Sequence, residues 1–259
     1  MTPHAITLIF ASILGLCVGS FLNVVIARIP EGRSIASPGS ACPRCGKPIA
    51  WYDILPVLSY ALLRGRCRNC RESISWRYPA VEIACGILFA LAYRRFEPGT
   101  TLASALVLLA GLVAITAIDL DHQIIPDVLS LPGIALGILF SLAPGGIGWA
   151  PSLLGVLLGG GVFLVIIAAS TLVIGQAGMG VGDVKLGAML GAFLGWKLAL
   201  LSILLSVLLG GPLAAALLAT GRKGRKDPIP FGPFLALGGL ISLFWGEAVL
   251  AWYFAQFLS

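Results

Sequence analysis

Gly178-Met179-Gly180-Val181-Gly182-Asp183-Val184-Lys185 is a glycine-rich stretch with two charged residues, and strongly apolar segments flank it on both sides. A second charged stretch at 118–127, Ile-Asp-Leu-Asp-His-Gln-Ile-Ile-Pro-Asp, is flanked in the same way. Carboxylates at membrane depth or at helix ends are energetically costly and are functional candidates for that reason. The two stretches therefore predict a membrane protein in which one aspartate from each meets the other at one membrane face.

The composition supports a membrane protein. The chain has 259 residues, of which 58% are hydrophobic and only 11% are charged. Soluble domains carry about 25% charged residues, so this deficit excludes a large soluble core. The first apolar segment lacks a basic region before it and a convincing cleavage site, so we expect a retained helix and not a signal peptide.

Apolar runs divide the chain into membrane spans, since a helix of about 20 apolar residues crosses the roughly 30 Å hydrocarbon core. We predict an all-α fold: a polytopic membrane bundle of about eight transmembrane helices with a small cytoplasmic zinc-ribbon-like domain. Its parts are a first transmembrane helix at 1–27, a cytoplasmic four-cysteine domain at 28–78 and a transmembrane core at 79–259. The expected spans are 5–27, 79–93, 101–119, 128–143, 152–174, 184–196, 198–219 and 231–257.

The distribution of basic residues predicts the orientation of these spans. Of the 17 Lys and Arg residues, all but Arg94, Arg95 and Lys197 fall in loops on one side. Cytoplasmic loops are enriched in Lys and Arg, so that side is predicted to be the cytoplasm. Both termini would then face outward, while the cysteine domain and both charged stretches face inward. The basic run at 222–226 would fix this topology and contact anionic lipid.

Four cysteines form two C-x2-C pairs, Cys42 with Cys45 and Cys67 with Cys70. Two such pairs supply the four thiolates of a tetrahedral structural zinc site, which leaves no open position for chemistry. Disulfides are the alternative, and a cytoplasmic loop disfavours them because thiols stay reduced there. We therefore predict structural zinc.

Asp119 closes the third span and Asp183 opens the sixth. Two facing carboxyls can share a proton, which leaves one as a base for water and the other as an acid for a leaving group. Asp183 could instead be a helix N-cap, and Asp127 could cap the fourth span. A serine, cysteine or zinc protease is unsupported, because no nucleophile lies beside a base and no H-E-x-x-H motif is present.

Several motifs, in order along nearly the whole chain, resemble those of the type IV prepilin peptidases, bacterial members of the G-x-G-D aspartic proteases. Residues 178–185 resemble the G-x-G-D-x-K signature, and 118–127 resemble the first catalytic motif. The two C-x2-C pairs resemble the family's cytoplasmic domain. Further matching strings are Gly19-Ser20-Phe21-Leu22-Asn23-Val24-Val25 with Arg28 and Pro30, Tyr78-Pro79-x-x-Glu82, and Pro230-Phe231-Gly232-Pro233-Phe234.

The resemblance implies two activities at the cytoplasmic face of the bacterial inner membrane. One is cleavage of prepilin or pseudopilin leaders after a glycine, with residues 79–259 as the peptidase core. The other is methylation of the new α-amine with S-adenosylmethionine. Motif by motif, the family's two catalytic aspartates correspond to Asp119 and Asp183. Whether Asp121 or Asp127 assists catalysis stays open. Expected partners are the prepilin substrate and membrane lipid, with no nucleic acid.

The polar candidates for the methyl-donor site are Asn23, Arg28, Glu72 and Glu82, and they depend on the resemblance alone. Glu82 could equally be an intramembrane hydrogen-bond partner. Lys185 could steady the charged aspartate pair or could extend from a helix end to the interface. The alternatives from other classes are a carboxylate-based membrane carrier and a non-catalytic membrane scaffold.

Overall fold

A computed structural model describes residues 3–175, 179–220 and 230–257. Gly178 of the glycine-rich stretch and the basic run at 222–226 lie outside these ranges. Within them the only β-type pairings are two isolated antiparallel bridges near the cysteines, so the all-α prediction is confirmed. The helices are α1 (Pro3–Arg28), α2 (Leu58–Leu62), α3 (Arg77–Arg95), α4 (Thr100–His122), α5 (Asp127–Leu142), α6 (Trp149–Ile174), α7 (Val181–Ala219) and α8 (Gly232–Phe257), and a 3-10 turn covers Trp51–Asp53.

Five described helices are long and apolar enough to cross a membrane: α1, α4, α6, α7 and α8. The shorter α5 is also apolar, and α3 carries the buried Glu82 within an otherwise mostly apolar sequence. These helices make the chain a multi-pass membrane protein, as its composition predicts.

Helix α7 contains two of the predicted spans. A straight helix of 39 residues would be about 58 Å long, nearly twice the hydrocarbon thickness. Gly195 interrupts it with non-helical angles, φ 76° and ψ 169°. A positive φ favours glycine because it has no Cβ. The predicted spans 184–196 and 198–219 therefore correspond to the two halves of one kinked element, and each of the eight predicted spans has a counterpart.

The chain forms two compact units, residues 1–97 and 98–259. In the first unit α1 packs on α3, and a Cβ on Gly19 would lie 2.6 Å from the Cα of Glu82. This close packing groups the first helix with the cysteine region and α3. The boundaries predicted from sequence, 1–27, 28–78 and 79–259, divide the chain by function and stay a prediction.

In the second unit α7 contacts α4, α5, α6 and α8. Its inner face contributes Leu186, Met189 and Leu190 to a buried apolar cluster. Leu112 of α4 and Leu235 of α8 complete the centre of that cluster. The central position of α7 means that the residues at its first turn are fixed against several other helices.

Glycines allow α6 and α7 to approach at backbone distance. Gly155 faces Gly191, and Gly159 faces Gly187, so that a Cβ on any of the four would overlap the backbone of the opposite helix. Within each helix the two glycines are spaced as G-x-x-x-G, Gly155 with Gly159 on α6 and Gly187 with Gly191 on α7. This spacing permits close packing of membrane helices. By contrast Gly161, on α6, has open space where a Cβ would project.

We expect Gly191→Ala to destabilise the protein, because the added methyl group has no space between the two backbones. Overpacking of this kind costs about 1–3 kcal/mol. The measurement is the thermal unfolding midpoint of the detergent-purified protein. Gly161→Ala is the matched control, and it should leave the midpoint unchanged or raise it. Equal midpoints for the two variants would contradict the described packing of α6 on α7.

Candidate active site

Asp119 lies in the last turn of α4 and is only 5% exposed. The helix ends at Gln123, which adopts a left-handed conformation with φ 55° and donates its N–H to the Asp119 carbonyl at 2.9 Å. The chain then turns through residues 124–126 into α5. Asp119 is thus held on a helix end next to a sharp reversal of the chain.

The carboxylate of Asp119 accepts a hydrogen bond from the backbone of α8. The N–H of Gly232, the first residue of α8, donates to Oδ2 at 2.9 Å. A Cβ at Gly232 would lie 2.6 Å from the same oxygen, so a larger residue would displace the Asp119 carboxyl group. The unpaired N–H groups at a helix N-terminus favour an anion at this position. The sequence pointed to Gly232 only as part of a family string and gave no sign of this contact.

Asp183 is the third residue of α7 and is 8% exposed. Its Oδ2 accepts a hydrogen bond from the N–H of Gly180 at 3.2 Å, just before the helix begins. A carboxylate three residues into a helix commonly bonds back to the capping residue in this way. The suggestion that Asp183 is itself the N-cap is therefore wrong, although its Oδ2 accepts the N–H of the residue at the capping position, Gly180.

The loop after α4 contacts the start of α7. A Cβ on Gly182 would lie 2.9 Å from the Cβ of Ile125, so the glycine is needed for this approach. Lys185 forms an ion pair with Asp127 at the start of α5. The carboxyls of Asp119 and Asp183 are also near enough to interact electrostatically. The structure therefore brings the two charged stretches of the sequence together at one end of the helices.

The other acidic residues of the first stretch differ from Asp119. Asp121 and Asp127 are exposed, whereas Asp119 is buried. Asp127 is the first helical residue of α5 and makes no side-chain cap, because Pro126 occupies the capping position. The suggestion that Asp127 caps the helix is therefore wrong. Lys185 pairs with Asp127, a partner that the sequence did not suggest.

The four cysteine thiols of the first unit form one cluster. The Sγ atoms of Cys42, Cys45, Cys67 and Cys70 all lie within 4.8 Å of one another, and those of Cys42 and Cys70 are 3.8 Å apart. Zinc–sulfur bonds of about 2.3 Å in a tetrahedron place sulfurs about 3.8 Å apart. The cysteines are free thiols. The donor set and its spacing therefore fit a zinc ion.

The backbone around Cys42 favours the thiolate form of that residue. The N–H groups of Cys45 and Arg44 point at the sulfur of Cys42 and lower the pKa of that thiol to about 7. A thiolate is the form that ligates metal. Next to Cys67, Arg68 binds Asp53 with two hydrogen bonds of 2.8 and 2.6 Å, and it holds the pKa of Asp53 below its usual value.

The methyl-donor candidates each have a protein partner within the first unit. Asn23 donates to the carbonyl of Tyr78 at 3.0 Å, and Glu82 accepts the N–H of Val57 at 2.7 Å. Arg28 donates to backbone carbonyls of the 34–39 loop. The Oε2 atom of the exposed Glu72 lies 3.8 Å from Nε of Arg44. These contacts support the alternative for Glu82, a hydrogen-bond partner inside an apolar helix.

Comparisons with known proteins cover both units. Residues 13–96 match the model of the bacterial peptidase A24 N-terminal domain, and residues 106–215 match that of the type IV leader peptidase family. The second match includes Asp119 and Asp183.

Curated relatives named prepilin leader peptidase/N-methyltransferase match over most of this chain. One from Aeromonas hydrophila is 38% identical over 95% of this chain and 93% of its own length. One from Pseudomonas aeruginosa is 38% identical over 98% and 96%. One from Myxococcus xanthus is 46% identical over 84% of this chain and 65% of its own length. No solved structure matches. With two matching domains and relatives similar over nearly its whole length, the chain belongs to the type IV leader peptidase family.

Proposed function

We propose that this protein is a membrane aspartic endopeptidase that removes the leader peptide of type IV prepilins or pseudopilins and then N-methylates the new terminus. One observation carries the peptidase proposal: Asp119 and Asp183 are buried where the end of α4 and the starts of α7 and α8 meet. The proposal of both activities is also supported by the names of the curated relatives, which include a leader peptidase and an N-methyltransferase.

The proposed peptidase chemistry uses the two carboxyls in different protonation states. One carboxylate takes a proton from a water molecule, whose oxygen attacks the carbonyl carbon of the scissile bond. The other carboxyl donates its proton to the leaving nitrogen. In each aspartate the Oδ2 atom is occupied by a backbone N–H, so Oδ1 is the atom offered to water or substrate. No metal ion is needed for these steps.

The position of the pair suits a substrate that is itself a membrane helix. Asp119 ends one helix and Asp183 begins another, so both lie at the level where a prepilin helix would leave the membrane. A peptide bond within a helix is shielded by its hydrogen bonds, so the leader junction must be extended when it is cut. A glycine at that junction would favour the extended form.

We propose that this face is cytoplasmic in the bacterial inner membrane. The support is the asymmetric distribution of Lys and Arg, which places the cysteine region and both aspartates on the basic side. The carrier and scaffold alternatives lose their support, because the two carboxyls are at helix ends and the chain belongs to a peptidase family.

We further propose a structural zinc ion held by Cys42, Cys45, Cys67 and Cys70, which would join the two halves of a region with few regular elements. For methylation, S-adenosylmethionine is the donor that the relatives' names imply. Asn23, Arg28 and Glu72 remain its proposed contacts, whereas Glu82 already accepts the N–H of Val57. The bound methyl donor would supply an electrophilic methyl group.

Asp119→Asn and Asp183→Asn should each reduce prepilin cleavage by at least about 10²- to 10⁴-fold, the usual contribution of an acid or base. An amide keeps the size and the acceptor oxygen of the carboxylate and loses its acid–base chemistry. The measurement is the cleavage rate of a prepilin by purified enzyme, read by mass spectrometry.

Asp121→Asn is the matched control, since Asp121 lies two residues from Asp119 and is exposed. It should retain cleavage. Loss of cleavage in Asp121→Asn together with near wild-type rates in Asp119→Asn would move the catalytic assignment away from the buried aspartate.

The purified protein should contain close to one zinc ion per chain, measured by elemental analysis. The double substitution Cys42→Ser with Cys45→Ser should remove it, because hydroxyls are poor ligands for zinc beside two thiolates. Cys17→Ser, on the exposed side of α1, is the control and should keep the metal. Zinc retained by the double variant would show that the cluster is not the site.

A further inference from the structure

The segment between residues 51 and 62 lies beside the membrane helices of the first unit. The hydroxyl of Ser20 donates to the carbonyl of Ile54 at 3.5 Å, and the N–H of Val57 donates to Glu82 at 2.7 Å. Ser20 is eight residues before the end of α1, which is about 12 Å along the helix axis. Glu82 is five residues after the start of α3, or about 8 Å. The segment therefore reaches well below the helix ends.

The outward surface of this segment is apolar. Trp51 is 78% exposed and Leu62 is 74% exposed, and the exposed residues between them include Tyr52, Ile54, Leu55 and Leu58. So many exposed large apolar side chains along one short segment are uncommon on a water-facing domain. Tryptophan and tyrosine are typical of the boundary between lipid and water. On α1, Phe21 is also exposed, next to the Ser20 that contacts Ile54.

Residues 54–57, between the 3-10 turn and α2, have irregular backbone. Irregular backbone is costly in an apolar environment unless protein groups satisfy its N–H and C=O groups. Val57 has a φ of 59°, a conformation that is strained for a β-branched residue. The Glu82 carboxylate accepts its N–H, and Ser20 supplies a donor to Ile54. Glu82 is itself only 8% exposed. A buried carboxylate thus supports the one strained residue of the turn.

Contacts to the cysteine region hold the other side of the segment. Arg68 binds Asp53 through two hydrogen bonds, and its guanidinium lies over the ring of Tyr52, 5.4 Å from the centroid. Arg68 sits between Cys67 and Cys70, so the second cysteine pair and the apolar turn are joined directly. Other arginines of the same region, at 64, 66 and 71, are exposed and suit anionic headgroups.

We propose that residues 51–62 form a re-entrant loop that inserts into the leaflet where α1 ends and α3 begins, with lipid covering its apolar surface. Glu82 is the positioning residue that accepts the loop's backbone N–H at membrane depth. This inference depends on the multi-pass architecture and on the first unit alone, so it stands or falls independently of the peptidase activity.

The test is the fluorescence of Trp51 in the full-length, zinc-loaded protein reconstituted into phosphatidylethanolamine and phosphatidylglycerol vesicles. Subtracting the signal of Trp51→Phe from that of the wild type isolates this residue. Acyl chains brominated near their headgroup end should quench its emission at least two-fold more than aqueous iodide does. Quenching by iodide with no effect of brominated lipid would place Trp51 in water and overturn the proposal.

A second pair of variants tests the role of Glu82. Glu82→Gln keeps an oxygen that accepts the Val57 N–H, whereas Glu82→Leu removes it. Glu82→Leu should increase iodide quenching of Trp51 at least two-fold and shift its emission to longer wavelength, and Glu82→Gln should do neither. Zinc content checks that the cysteine region is intact in each variant.

If Glu82→Leu does not fold, the comparison of wild type with Trp51→Phe still decides whether the loop is inserted. If Glu82→Leu folds and leaves Trp51 as well embedded as in the wild type, the positioning role of Glu82 is wrong.

Discussion

The hydrogen bond from the Gly232 N–H to Asp119 is the contact on which the candidate site depends. It joins the start of α8 to the end of α4 across 113 positions of sequence. A buried carboxylate without a hydrogen-bond partner costs several kcal/mol, so this backbone donor is what makes the burial of Asp119 tolerable. The N–H of Gly180 donates the equivalent hydrogen bond to the carboxyl group of Asp183. Each of the two carboxyl groups thus accepts a hydrogen bond from the backbone at the start of a helix.

Glycine makes this arrangement possible at several points. At Gly232 and Gly182 a side chain would collide with Asp119 or with Ile125. Further along α7, Gly187 and Gly191 let α6 approach at backbone distance. Because α7 is packed on four other helices, its first turn has little freedom, and Asp183 is positioned by the bundle as a whole. The ion pair between Lys185 and Asp127 also links the start of α7 to the start of α5, near the carboxyl groups of Asp119 and Asp183.

Much of the fold and the site could be predicted from local sequence. The lengths of the apolar runs predicted the membrane helices. The spacing of the two C-x2-C pairs predicted the thiol cluster of Cys42, Cys45, Cys67 and Cys70. The partners of Asp119 and Lys185 could not be predicted, because each comes from a segment more than fifty residues away and depends on how the helices pack. Backbone donors such as Gly232 have no side-chain signature. The interruption of α7 was also predictable, because the predicted spans 184–196 and 198–219 meet within two residues of the kink at Gly195.

The candidate site requires that the loop after Asp119 and the first turns of α7, which hold Asp183, lie against each other. Cross-linking of Asp127→Cys with Lys185→Cys tests this contact, since the two native side chains form an ion pair between the start of α5 and the first turns of α7. We expect a short bifunctional thiol reagent to join the two cysteines in the membrane-reconstituted protein, identified by mass spectrometry of the linked peptides. Two thiols that react with the reagent separately and are never joined would show that the two segments are not neighbours.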